Sequence, residues 1–545
     1  MATVKLSITS QRRLDRKYDA AGRRAIAAAL RAWIAADKTR GIRTIHVAID
    51  DAAAMKPFKV APVRGSLTPN KVKKALDALV ARLAPEYVVL FGADDVVPHF
   101  RVANPSHSAT DGDDDTEVLT DNPYACSRQF RSGRRSSYLV PDRVVGRIPD
   151  LPGSSDAGWI TNYLQHAAGW TSRPASVYDA DLLLANEAWR KGGEDSVTYL
   201  GRRTKQLLLA PPTNPSTPQL LARRGALLHM IKCHGGDHDS WFYGDGHGRQ
   251  PAALKSPMLV GATMPDTVVG AMCCYGGKVF DPNAPVVAHP GEPPIPMVYL
   301  RQGAHGYLGS TTIAWVGPSV MMCADWVVTA FLKDVLSGAS LGRAALGAKQ
   351  DFLRWAQQEG QDPDTADEKT LLQFVLLGDP SIHPVASGSS PAARGAASIG
   401  GGAASIPMRM DATNRAQRRA ARFALGEILR ESLPERERAP KGRVPAAVLA
   451  AARATWKATD AGAKWGLQRA DRVTTTTEVP ELQPRAAASV SGAARRAASA
   501  VVTSQRYQYY WVSTRKGPTV RRIRMVIVHA DAKGNVLRSR LVESS

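Results

Sequence analysis

Apolar and polar positions fall into two textures along this chain. The first is a set of short, nearly continuous apolar runs: YVVLFG (87–92), RVVGRI (143–148), DLLLAN (181–186), ALLHMIKC (226–233), TVVGAMCC (267–274) and HGYLGST (305–311). Runs of this length and composition suit strands buried on both faces, as in a parallel sheet. TIHVAID (44–50) alternates instead, as a strand with one wet face does. The second texture has the 3.6-residue period of amphipathic helices. It appears in RRAIAAALRAWIAA (23–36), NKVKKALDALVARL (70–83), WITNYLQHAAGW (159–170), VTYLGRRTKQLLL (197–209) and CADWVVTAFLKDVL (323–336). Strands and helices in this alternation predict an α/β fold, a mostly parallel sheet sandwiched by helices with right-handed crossovers. In open sheets of this kind the active site forms at the carboxyl ends of the strands.

A chain of 545 residues holds about two to four domains. The expected divisions are an N-terminal α/β module (1–84), a main domain (85–385), a linker (386–410) and a C-terminal region (411–545). The linker reading rests on VASGSSPAARGAASIGGGAAS (385–405), which is rich in Gly, Ser and Ala. Beyond it, RAQRRAARFALGEILRESL (415–433) and PAAVLAAARATWKAT (445–459) read as helices. Two strand-like stretches within 505–543 meet at AKGN, a hairpin signal. The C-terminal region is thus expected to be a smaller, basic α+β unit.

Composition narrows the class. A hydrophobic fraction of 44% is enough for a sizeable core. No run of apolar residues is long enough to span a bilayer, and the first twenty residues carry no apolar leader core. Five cysteines, irregularly spaced, do not make a disulfide framework. A reducing, cytoplasmic setting is expected, with thiols available for chemistry. The net charge is +22, and residues 387–545 hold 28 Lys and Arg against 11 Asp and Glu. A basic tail of that kind attracts acidic proteins or nucleic acid. The same Arg/Ala bias also follows from a GC-rich genome.

Two strand ends stand out chemically. IKCHGGDHDSW (231–241) delivers His234 followed by Gly235 and Gly236, and VVGAMCCYGG (268–277) delivers Cys273 and Cys274 followed by a Tyr-Gly-Gly turn. A thiol becomes a nucleophile when a nearby imidazole takes its proton and later returns it to the leaving group. Glycines behind each residue let backbone N–H groups approach a reacting carbonyl, so Gly235 or Gly236, with the Cys274 amide, are candidates for an oxyanion hole. Only one of two adjacent cysteines on a strand can face His234; Cys274 is favoured because the turn follows it directly. Cys233, His234, His238, Cys273 and Cys274 are also zinc ligands by type. Adjacent residues point to opposite faces, however, and CxxC spacing is absent, so neither metal nor other cofactor is expected. The DGDDDTE run (111–117) is read as a solvated loop, with calcium binding the weaker alternative.

With these residues in view, the chain resembles the caspase-like cysteine peptidases, most closely the gingipain type. His234-Gly235 followed by Trp241 resembles that family's His-Gly motif, and Cys274-Tyr275-Gly276-Gly277 its nucleophile turn. VVLFGADDVVP (88–98), TDNPYA (120–125), PDRVVGRIPD (141–150), GAHGYLGST (303–311) and LLGDPS (376–381) follow in the family's order, so the resemblance covers about 85–385. It departs at Gly236, where the family has serine, and in having two adjacent cysteines. The resemblance implies an endopeptidase acting on protein substrates through a Cys274/His234 dyad. It also implies cleavage after a basic residue, held by an acid among Glu187, Asp195 and Asp237, with Trp241 lining the substrate site. Intracellular bacterial members of the family resemble parts of defence or cell-death systems, and the analogy extends that role here. Exposed arginines at RSGRRSS (131–137) and Arg394 are candidate self-processing sites. The competing readings are an inactive scaffold, or a nucleic-acid binder working through Tyr507, Tyr509, Tyr510, Trp511 and the basic tail.

Overall fold

A computed structural model describes residues 3–108, 112–246, 248–262, 265–357 and 362–386. It then describes 425–427, 429–430, 433–439, 442–457, 466–480, 499–516 and 519–544. The linker with Arg394, Asp111 and most of the 415–433 stretch lie outside the described residues.

The first three strands are β1 (Thr3–Thr9), β2 (Ile42–Ala48) and β3 (Tyr87–Phe91), followed by a hairpin of β4 (Phe100–Ala103) and β5 (Glu117–Thr120). Next come β6 (Val144–Ile148), β7 (Asp181–Asn186), β8 (Leu208–Ala210) and β9 (Leu228–Lys232). A small side sheet holds β10 (His234–Gly235), β11 (Trp241–Tyr243) and β12 (Ala252–Lys255). After it come β13 (Val268–Ala271), β14 (Gly306–Ser310), β15 (Trp315–Val316) and β16 (Phe374–Gly378). The main sheet has ten strands in the order β2-β1-β3-β6-β16-β14-β13-β9-β7-β8. All neighbours run parallel except β14 and β16, which are antiparallel. Two parallel half-sheets of opposite direction therefore meet at that seam. The chain is of the α/β class, with a mostly parallel sheet flanked by helices.

The continuous apolar runs have the expected cause. β3, β7, β9, β13, β14 and β16 are buried at every residue. Helix Ala324–Leu336 packs on β13, helix Leu341–Ala356 on β6, and helix Ala20–Thr39 on β2. Local signals start these helices: Asp19 accepts the Gly22 N–H, and Thr68 caps Pro69–Leu83 with proline in its first turn. One helix differs from its sequence reading. The 197–209 stretch is not a single helix; the helix is Arg190–Tyr199, and Gly201 at φ +72° turns the chain towards the edge strand β8. Leu208 and Leu209, which extended the period, belong to that strand.

Residues before 85 join the same sheet, since β1 pairs with both β2 and β3. Lys5, fully buried on β1, reaches Asp379 at 2.5 Å and Asp37 at 2.6 Å, and the Trp33 indole N–H donates to Asp379 at 2.9 Å. Burial and the neighbouring Asp379 push the Asp37 carboxyl up from its ordinary value. Removing the ammonium leaves buried Asp379 without its cation and buried Asp37 with the more distant Arg40 at 3.9 Å. Lys5→Met should therefore cost about 3–5 kcal/mol, read by denaturant unfolding.

The C-terminal region is a second, antiparallel sheet. It contains β17 (Glu435–Arg438), β18 (Gly466–Pro480), β19 (Ser499–Lys516), β20 (Arg521–Asp531) and β21 (Val536–Ser544), and takes β15 from the front of the chain as its edge. Sequence reading anticipated only the last hairpin of this sheet. Alternation sends Tyr509, Trp511, Val526 and Val528 to one face, under helix Ala446–Lys457. It sends Tyr510, Val512, Ile523, Met525 and Ile527 to the other, against Cys274, Ile313 and Trp315. Tyr509, Tyr510 and Trp511 are thus buried core residues. Among the described residues no helix is long and apolar enough to cross a membrane.

Candidate active site

His234 follows β9 by two residues and pairs with Tyr243 across β10–β11. Cys274 follows β13, the strand beside β9. The two strand ends are in contact. A Cβ built on Gly235 would lie 2.0 Å from the Cys274 carbonyl oxygen, so residue 235 must be glycine for the loops to meet. Gly235→Ala should therefore lose activity together with stability, measured by peptide hydrolysis and thermal melting. Behind the nucleophile candidate, Tyr275 takes φ +54°, and its N–H and that of Gly277 donate to Thr312 and Ser310 carbonyls. The turn is thereby pinned to the segment following β14.

The two cysteines part company. Cys273 lies in the main core with its Sγ 3.7 Å from the Ile231 carbonyl, and burial pushes its thiol far up. Cys274 belongs to the second apolar cluster, and its Sγ accepts the Ala314 N–H at 3.2 Å. The same sulfur lies 3.7 Å from the Ala314 carbonyl oxygen, so one residue faces it with both its backbone groups.

His234 is 2% exposed, and its Nε2 lies 3.1 Å from Asp245 Oδ2. The Trp189 ring meets the imidazole edge-on at 4.5 Å. Burial first, then the Arg522 guanidinium, pull the His234 pKa down to about 3, so the ring is a neutral base. Asp245 was missed in the sequence. Its N–H donates to the Ala210 carbonyl at the end of β8, and its carbonyl accepts the Ala188 N–H just after β7. Two strand ends thus clamp it under the imidazole. Its only sequence signal is a GDG that follows the WFY strand (241–243) one hairpin after His234.

The other sequence candidates are dispersed. Glu187 sits just after β7, near Gly246, and accepts from Arg190 at 3.2 Å. Asp195 pairs with Lys191 on the exposed side of the next helix, and Asp237 pairs with Lys278 and His238. Trp241 is committed between His289, stacked at 3.6 Å, and the Lys255 ammonium, while its Nε1 donates to Glu292. Gly236 packs against Asp239. In the acidic run, Asp113 is buried on Lys369, Asp114 pairs with Arg521, and Asp115 accepts the Tyr275 hydroxyl at 2.7 Å. These acids brace the nucleophile turn and the C-terminal sheet, which the solvated-loop reading did not anticipate. Among the described residues no cluster of three or more His, Cys, Asp or Glu is arranged to hold a metal ion.

Comparison with known proteins gives one family. Residues 264–385 match the model of peptidase family C25, a span that contains Cys274 and ends before the linker. No curated protein matches the chain. A solved chain described as "Structure of Protease" aligns over 70% of this chain and 78% of its own, with 15% identity and a TM-score of 0.43.

Proposed function

We propose that this chain, a cysteine peptidase of the gingipain-type family C25 through residues 264–385, cleaves proteins with Cys274 as nucleophile and His234 as general base. The observation that carries the assignment is the meeting of two strand ends, with Gly235 against the Cys274 carbonyl and His234 held by Asp245. The neutral imidazole takes the thiol proton, the sulfur attacks the scissile carbonyl, and His234 returns the proton to the leaving amine. Water then hydrolyses the thioester with His234 again as base. Backbone N–H groups of Gly235 or Gly236 and of Cys274 receive the oxyanion. Asp245 holds the imidazole in orientation and stabilises its protonated form, a positioning role.

A basic residue before the cut is supported by acids beside His234. Asp245 already carries the guanidinium of Arg522, and Glu187 lies next to Gly246. Asp195 and Asp237 are the weaker candidates, since each is paired elsewhere. Fluorogenic peptides ending in Arg or Lys should outpace those ending in Asp, and a preference for Asp would overturn this assignment. A peptidyl-arginyl chloromethyl ketone should add its mass to Cys274, and labelling of Cys273 alone would move the nucleophile by one residue. An inactive scaffold is favoured by one observation, the near-complete burial of both Cys274 and His234.

A further inference from the structure

We propose that the C-terminal strand β21 occupies the peptide groove of this site in cis and holds the enzyme latent until it withdraws. The proposal rests on the peptidase reading for what the groove binds, but not for what fills it.

β15 begins one residue after Ala314, whose N–H is donated to Cys274 Sγ. Its edge lies beside the thiol's backbone partner, and an extended peptide adds to such an edge through main-chain hydrogen bonds. That edge is taken. β21 pairs antiparallel with it, Ser544 opposite Trp315 and Glu543 opposite Val316. The Ser544 backbone lies close enough to the His234 imidazole to favour its protonated form. An extended main chain therefore already runs along the strand that follows Ala314, on the side of the imidazole, as a substrate must.

Side chains lock it there. Glu543 accepts the Trp189 indole N–H at 2.7 Å and pairs with Arg524, while Arg522 pairs with Asp245, the same acid that holds His234. Val542, Ile523 and Met525 complete the apolar cluster that contains Cys274. The occupant presents both an extended backbone and a guanidinium to a buried acid.

The latch is local, whereas the body of the C-terminal sheet is bolted elsewhere. Arg540 and His529 meet Asp364, Arg540 meets Asp367, and Arg436 meets Glu368, all on or beside helix Thr365–Gln373. Among the described residues two pairs join β15 to β21, while the same end of β21 pairs with β20, Glu543 opposite Arg524, and Ser544 Oγ accepts the Ile523 N–H. Withdrawing Glu543 and Ser544 breaks the two pairs with β15 and the last pair with β20, and leaves the ladder from Val542 back in place.

The test compares the full-length chain with Arg522→Glu, which faces Asp245 with a like charge, and with Glu543→Lys, which removes the Trp189 bond and repels Arg524. Iodoacetamide labelling of Cys274 is followed by mass spectrometry, peptide hydrolysis in parallel, and the fold by circular dichroism. Wild type should label slowly, and both variants should label roughly tenfold faster or more, with hydrolysis rising alongside. Wild-type Cys274 labelling as fast as a thiol in a short unstructured peptide would overturn the latch, whether or not the variants fold. Natively folded variants that label no faster would overturn it too. Faster labelling with no hydrolysis of any peptide would leave the latch standing and remove the peptidase reading.

Discussion

Cys274→Ala should abolish peptide hydrolysis while Cys273→Ala keeps most of it, both measured in the Glu543→Lys background so that the groove is open. Removing one member of a catalytic pair costs several orders of magnitude in rate, about as much as removing both. The contrast between neighbours rests on their surroundings. Cys273 Sγ faces back into the core beneath β9, where desolvation keeps it a thiol, whereas Cys274 Sγ receives the Ala314 N–H within the second apolar cluster. Both side chains are small, so the fold should survive either change, with melting temperatures within a few degrees of the parent. An active Cys274→Ala would end the assignment.

The second large effect is expected from the acid under the imidazole. His234→Ala should lower turnover as far as Cys274→Ala does. Asp245→Asn keeps the shape but removes the charge that fixes the ring, and should lower kcat by about a hundredfold to ten-thousandfold with a smaller change in KM. It should also shift the acidic limb of the pH–rate profile downward. The carboxylate stabilises the imidazolium, so without it the ring gives up its proton more readily and stays a base to lower pH. A variant that loses activity without moving that limb would reduce Asp245 to a merely structural residue. The same change removes the partner of Arg522, so Asp245→Asn should also speed labelling of Cys274.

Several features could be read without the fold. Apolar runs such as YVVLF and VVGA announce two-sided burial because no other setting tolerates so little polarity on both faces. His234 and Cys274 were visible because each ends such a run and is followed by glycines. The AKGN hairpin was visible because its turn chemistry is local. Other features depend on partners distant in sequence. TVKLSIT alternates as if one face were wet, yet Lys5 and Ser7 are fully buried, because Lys5 meets Asp379 from 374 residues away. No local pattern encodes the antiparallel seam between β14 and β16, since side-chain period is the same in either direction.

The tail divides in the same way. Its charge and its aromatic run were plain, but Tyr507 to Trp511 reads either as a surface for stacking bases or, more commonly, as part of a small hairpin core. Only the docking of that sheet between helix Ala446–Lys457 and the cleft decides for the second. Asp245 and Glu543 look like ordinary loop and terminal acids in sequence. They matter because two clamped strand ends and an added edge strand bring them to His234, and such proximity is a property of the packed chain. By itself, the amino-acid sequence of this protein determined which segments must be buried and which residues carry reactive chemistry, because both follow from side-chain type and period. The tertiary structure alone decided which acid lies under His234 and which strand pairs with β15, because those contacts join residues that no periodicity relates.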